Sequence, residues 1–204
     1  GSDVYDLASL TKILATLPLT IELKDKGILS LDSKIGKMLP SFEGSNKEHI
    51  TVRSMLSHYA RLRAWIPFYV YTMDSITKRP DKKYYRNSRS EDFNIEITNN
   101  LYFRNDMKDS LFLQIRDSEL RKRLSYKYSD LPFYLLKSYI ENHYGNTLDN
   151  LTQQHFYKSL GANHATYLPL RKFRKKQIVP TEYDRIFRDE IVHGYVHDQG
   201  AAML

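Results

Sequence analysis

The chain contains no cysteine, which excludes a disulfide framework, a thiolate nucleophile and a thiolate metal site. It has no stretch of about 18 apolar residues, so nothing in it is built to cross a membrane as a helix. A charged region followed by an apolar run is missing from the N-terminus, so no signal peptide is legible. Gly1-Ser2 reads as a cloning remnant, which leaves room for a removed native leader. No internal repeat occurs, and no zinc-finger or RNA-binding signature surrounds the densest basic run, Arg171-Lys172-Phe173-Arg174-Lys175-Lys176. That run reads as a solvated segment, and nucleic acid is not an expected partner.

What is present suits one soluble globular domain able to bury a core: 204 residues, 41% hydrophobic and 27% charged. A formal net charge of +7 raises the general expectation of an anionic partner, be it nucleic acid, a membrane surface or a cell-wall polymer. The 16 tyrosines suit packing that keeps each hydroxyl wet.

Periodicity predicts a mostly helical body. Leu10, Ile13, Leu14, Leu17 and Ile21 form one helical stripe, with Gly27 as its stop and Pro18 as an expected kink. Leu29 to Asp32 reads as a short extended piece, and Thr51 as the cap of a second helix through Val52, Met55 and Leu56. Further helices are expected over about 106–123, 131–143 and 148–159. Phe93, Ile95 and Ile97 alternate with polar residues and are followed by Asn99-Asn100, a hairpin signal. The polar segment from Thr77 onward reads as a surface insertion, spanning 77–105 with its hairpin. Beyond the last helix the chain reads as loop. The fold class expected is therefore mainly α with one or two short β-hairpins.

Ser9-Leu10-Thr11-Lys12 is an S-x-x-K pattern at the head of the first stripe. Residues three apart share a helix face, so the ammonium can reach the serine hydroxyl, and a helix N-terminus favours negative charge on that oxygen. Serine is a weak nucleophile until a neighbouring group takes its proton. On spacing and context alone Ser9 reads more readily as a plain helix-cap serine. A second match, Ser75 to Lys78, is followed by Arg79-Pro80, and a proline there argues against a helix. His193 and His197 lie four apart, but the intervening Gly194 argues against a helix that presents both to a metal.

Five pieces in order carry a resemblance. They are Val4 to Lys12, Gly27 to Asp32, Ile50 to His58, Tyr128-Ser129-Asp130 just ahead of a helix, and Leu160-Gly161 with Thr166. Together they resemble the class C β-lactamase branch of the serine β-lactamase and penicillin-binding-protein family. The resemblance implies that 1–204 is the helical part of an α+β β-lactamase/transpeptidase-like fold, truncated at both ends. It implies an acyl-enzyme serine hydrolase (esterase, D-peptidase or β-lactamase-like) that needs no metal or organic cofactor. Ser9 would be the acylated nucleophile, and Lys12 and Tyr128 would share the proton work.

Two departures from the family pattern stand out. Asp130 occupies a substrate-binding position where the family has Asn, so a carboxylate either repels an anionic substrate or pairs with Lys12. Arg61 stands where the family has a glycine, which puts a close backbone approach there in question. The flanking strands that complete the family's site, with one oxyanion donor, are not in this sequence. Loss of one such donor typically costs about 10²–10³ in turnover, so this piece is expected to be weak or inactive.

The alternative reading is a non-catalytic β-lactamase-like binding or accessory domain. The long insertion and the Val196-His197-Asp198 stretch are also similar to domains fused behind bacterial glycoside hydrolase family 3 N-acetylglucosaminidases. That similarity implies a periplasmic or cell-envelope setting and a small-molecule or peptidoglycan-derived substrate.

Overall fold

A computed structural model describes residues 3–195 and Ala201. The chain forms two compact units, one made of 1–6, 67–115 and 168–196 and the other of 7–66, 116–167 and 197–204. Helices account for 38% of the chain and strands for 13%, a more mixed balance than the expected mainly α body.

In the second, helical unit, Lys12–Thr16 forms a π-helical turn that continues into α1 (Leu17–Asp25). Pro18 explains the wide turn. It cannot donate to the Leu14 carbonyl as a regular helix requires, and its ring crowds that carbonyl. The chain widens here, with the Leu17 N–H reaching back to the Lys12 carbonyl. The buried Tyr157 hydroxyl donates to Leu14 O at 2.9 Å, so the carbonyl Pro18 cannot serve finds a donor from another element. Burial also pushes the Tyr157 phenol up to about 12.

The apolar stripe expected to face the core faces outward instead. Leu10, Ile13 and Ile21 are about half exposed, while Lys12, Ala15, Thr16, Leu19, Thr20 and Leu23 are buried. Both sets have helical spacing. The second can hide threonines because the Thr20 hydroxyl returns to the Thr16 carbonyl at 2.8 Å. That face meets α5 (Leu131–Tyr144), whose Leu131, Leu135, Leu136 and Ile140 are fully buried. Pro132 stands in the first turn of α5, and Gly145 ends it at φ 61°, a left-handed conformation that costs glycine little.

The remaining helices of this unit are short. Residues Ile35–Met38 form α2, and α3 (Val52–Leu56) opens with Thr51 accepting the Ser54 N–H in a capping box. The run expected over about 148–159 is α6 (Leu148–Thr152) followed by a second π-helical turn, Gln153–Tyr157. The piece expected to be extended, Leu29 to Asp32, is a turn, because the Ser33 N–H closes on the Ser30 carbonyl at 3.0 Å.

The first unit carries the sheets. Strands β1 (Tyr85–Arg86), β2 (Phe93–Thr98) and β3 (Leu101–Arg104) pair antiparallel in the order β1-β3-β2, with Asn99-Asn100 as the hairpin turn. A second hairpin, β4 (Glu182–Asp184) with β5 (Glu190–Val192), occupies a stretch that reads as loop in the sequence. Its strands are three residues each, too short for alternation to show. An aromatic cluster fills this unit, with Tyr85 against Phe103 and Phe187, and Tyr69 against Phe187.

Helix α4 (Lys108–Asp117) is shorter than the expected 106–123. The fully buried Lys47 accounts for its end, since its ammonium donates to the carbonyls of Arg116, at 2.9 Å, and Ser118. Burial pulls the Lys47 ammonium down to about 8.

A polar cluster closes the other side of α1. Burial alone would raise Glu22, but hydrogen bonds from Lys26, His155 and Tyr144 outweigh it and hold the carboxyl at about 2, against an ordinary 4.5. The His155 contact is 2.8 Å and the Tyr144 contact 3.1 Å. A carboxyl depressed on folding contributes stability that is present above its unfolded pKa and lost as pH falls toward the folded one. Stability should therefore fall between about pH 4.5 and about pH 2, and Glu22→Gln should flatten that part of the profile. Urea denaturation at stepped pH measures it; an unchanged acid slope in the variant would contradict the assignment.

Candidate active site

Ser9, Lys12, Tyr128 and Asp130 all belong to the helical unit. Ser9 is exposed, in a turn just ahead of the π-helical segment rather than inside a helix, and the Lys12 N–H donates to its carbonyl at 3.1 Å. The residue before it, Ala8, has φ 43°, a left-handed conformation that costs a non-glycine residue roughly 1 kcal/mol. Strain of this kind, held next to an exposed hydroxyl, concentrates at functional positions.

Lys12 is 3% exposed. Its ammonium donates to Ser9 Oγ at 3.1 Å and to the Ala201 carbonyl at 3.0 Å, and lies 2.7 Å from Asp130 Oδ1. A buried cation needs such partners, because desolvation without them would cost several kcal/mol. The Asp130 contact has ion-pair distance without hydrogen-bond alignment. We therefore treat it as Coulombic attraction. The carboxylate pairs with Lys12, one of the two roles the sequence leaves open for it.

Tyr128 joins the site through its ring. The Lys12 ammonium sits 5.1 Å from that ring's centre and 5.5 Å from that of Phe133, both within cation–π range. Among the described residues, no hydrogen bond links the Tyr128 hydroxyl to Ser9.

The segment carrying Tyr128 and Asp130 is stapled to the stretch after α3. The Lys127 N–H donates to the His58 carbonyl (3.0 Å), the Ser129 N–H to His58 Nδ1 (3.2 Å) and the Asp130 N–H to the Ala64 carbonyl (2.9 Å). The buried Ser129 hydroxyl donates to the Arg63 carbonyl at 2.6 Å. Arg61 has a positive φ, 59°, and its Nε donates to the Arg121 carbonyl at 2.6 Å. Sequence spacing marks neither His58 nor Ser129 as part of the site, because both act through backbone contacts between segments about 70 residues apart.

Ser75 lies in a turn organised by Asp74 Oδ1, which accepts the N–H groups of Ile76 and Thr77, and the turn leaves no helix for its S-x-x-K spacing to act on. His193 donates to or accepts nothing but a 3.1 Å contact with the Ile191 carbonyl among the described residues, while Val196, His197 and Asp198 lie outside them. No described helix is long and apolar enough to cross a membrane.

The chain and its fold are similar to known proteins. The chain is 30% identical to the N-acetylmuramyl-L-alanine amidase of Bacillus subtilis (strain 168), over 97% of the chain and 43% of that protein. Its fold is similar to a β-lactamase/D-alanine carboxypeptidase from Yersinia pestis (TM-score 0.64, 17% identity), covering 99% of this chain and 50% of that one. It is also similar to a class C β-lactamase from Rhodobacter sphaeroides (TM-score 0.53, 19% identity), covering 95% and 48%. The chain thus spans about half the length of the relatives it matches. Residues 2–192 match the β-lactamase family, and the chain belongs to that family.

Proposed function

We propose that this chain is part of a serine hydrolase working through an acyl-enzyme on Ser9. The observation that carries the reading is the 3.1 Å contact from a buried Lys12 ammonium to an exposed Ser9 hydroxyl. In the reaction, Ser9 Oγ attacks a carbonyl carbon and gives up its proton. The carbonyl oxygen takes the negative charge, the tetrahedral intermediate expels a protonated leaving group, and water releases the acyl group.

With donors aimed at Ser9 Oγ and Ala201 O and its charge balanced by Asp130, the Lys12 ammonium suits stabilising negative charge that develops on the serine oxygen. Lys12 and Tyr128 share the proton work: whichever of the two is unprotonated when substrate binds takes the Ser9 proton and returns it to the leaving group. Asp130 holds the cation and sets the electrostatics of the substrate side, where a carboxylate disfavours anionic acyl donors.

The substrate class we favour is a peptidoglycan-derived amide or ester, supported by the names of the B. subtilis and Y. pestis relatives. A cell-envelope setting, and a fused glycoside hydrolase in a longer protein, belong to the same reading. The Lys12–Asp130 pair also favours a second reading, a non-catalytic accessory domain in which the cation is held for structure.

Intact-mass analysis after exposure to a fluorophosphonate and, separately, a penicillin tests the choice. A chain extended at both ends to the length of its relatives should gain one adduct that Ser9→Ala abolishes. This chain alone should label at least about 100-fold more slowly, for want of an oxyanion donor. A folded extended chain that never labels would favour the accessory reading.

Asp130→Asn should speed acylation of the extended chain by the anionic penicillin about tenfold, as expected for removing a like charge about 8 Å away at intermediate dielectric. A neutral ester should gain little. Equal gains for both donors would remove the electrostatic role of Asp130.

A further inference from the structure

His58 stands just past the end of α3, with φ 59°. Its N–H closes on the Met55 carbonyl, and the next N–H, from Tyr59, closes on the Ser54 carbonyl. That is the left-handed position ending a helix, where glycine or asparagine is normally preferred. An imidazole kept at such a position bears backbone strain, so it calls for a reason beyond ending the helix.

The reason lies in what the ring meets. Nδ1 accepts the Ser129 N–H at 3.2 Å, and the ring centre is 4.7 Å from that of Tyr128. Tyr126 stands edge-on at 5.9 Å and Phe133 at 6.0 Å. Ser129 sits between Tyr128 and Asp130, so this bond joins those from Lys127, Asp130 and the Ser129 hydroxyl in fixing the backbone on both sides of it.

Resting on the acyl-enzyme reading, we propose that His58 is a positioning residue: its neutral imidazole, accepting the Ser129 N–H, sets the placement of Tyr128 and Asp130 around Lys12. The bond requires the ring proton on Nε2, since a protonated Nδ1 would face the Ser129 N–H with another donor. The charged groups facing the ring act in opposite directions. Burial and the Lys12 cation hold His58 below its ordinary value of 6.5, and the Asp130 carboxylate works against them. Acidification should therefore release the Tyr128–Asp130 segment at a pH below 6.5.

The test uses this chain and two variants. His58→Asn keeps an acceptor where Nδ1 stood, tolerates positive φ and cannot titrate near neutrality. His58→Leu removes the acceptor. In the parent chain, the Ser129 amide resonance should move with the midpoint of the His58 ring nitrogens, with Nε2 carrying the proton above it. In His58→Asn that amide should stay near its parental shift and be flat with pH, and in His58→Leu it should be displaced throughout.

Fluorophosphonate labelling of Ser9 should be slowed about tenfold in His58→Leu, as for one lost hydrogen bond. It should be preserved in His58→Asn, with the acid limb removed. A Ser129 amide indifferent to His58 protonation, or parental labelling and pH profile in His58→Leu, overturns the proposal. If Ser9 reacts in no version, even when each is extended at both ends, the acyl-enzyme reading fails, and the Ser129 amide alone then decides the role of His58.

Discussion

A single buried ammonium organises this part of the molecule. Lys12 is removed from water, so its charge needs partners, and the chain supplies two hydrogen-bond acceptors, Ser9 Oγ and Ala201 O, and a countercharge, the Asp130 carboxylate. The partners are fixed by different pieces of local structure. Ser9 follows the strained Ala8, and Asp130 heads α5, where the helix dipole favours its charge. Lys12 itself opens the π-helical turn that Pro18 imposes. An asparagine in place of Asp130 would offer Lys12 a dipole; the carboxylate offers a full countercharge, and the site is built around that difference.

The supporting shell follows from the same need. A carboxylate held at 2.7 Å from a cation must not drift, and the stretch after α3 holds its segment through backbone bonds from Lys127, Ser129 and Asp130. Arg61 ties down the stretch around Arg121 as well: its Nε donates to the Arg121 carbonyl, and its own carbonyl accepts the Arg121 N–H. The positive φ values at His58 and Arg61 turn this stretch back toward the site. At Arg61 the positive φ comes with a guanidinium bond to the Arg121 carbonyl.

Much of this could be read in the sequence, for physical reasons. S-x-x-K spacing is short-range chemistry, and the capping box at Thr51 and the Pro132-to-Gly145 bounds of α5 are local signals. The hairpin at Asn99-Asn100 is equally local. What escaped reading is non-local. The helix before Asp25 carries two apolar faces, and periodicity cannot say which one meets α5. Threonines that bond to their own backbone look polar in a sequence and pack as core in a fold. Tyr157 serving the Leu14 carbonyl joins positions 143 residues apart, and Lys47 ends α4 across about 70. The three-residue strands of β4 and β5 are too short to leave a pattern.

The central claim is that Lys12 and Asp130 are energetically coupled, beyond lying close together. A double-mutant cycle of Lys12→Met, Asp130→Leu and the pair, read by chemical denaturation, tests it most directly. Breaking one side should cost roughly 3–5 kcal/mol by leaving the other charge buried, while the double variant should recover much of that loss. Additive single losses, with no recovery in the pair, would contradict the account.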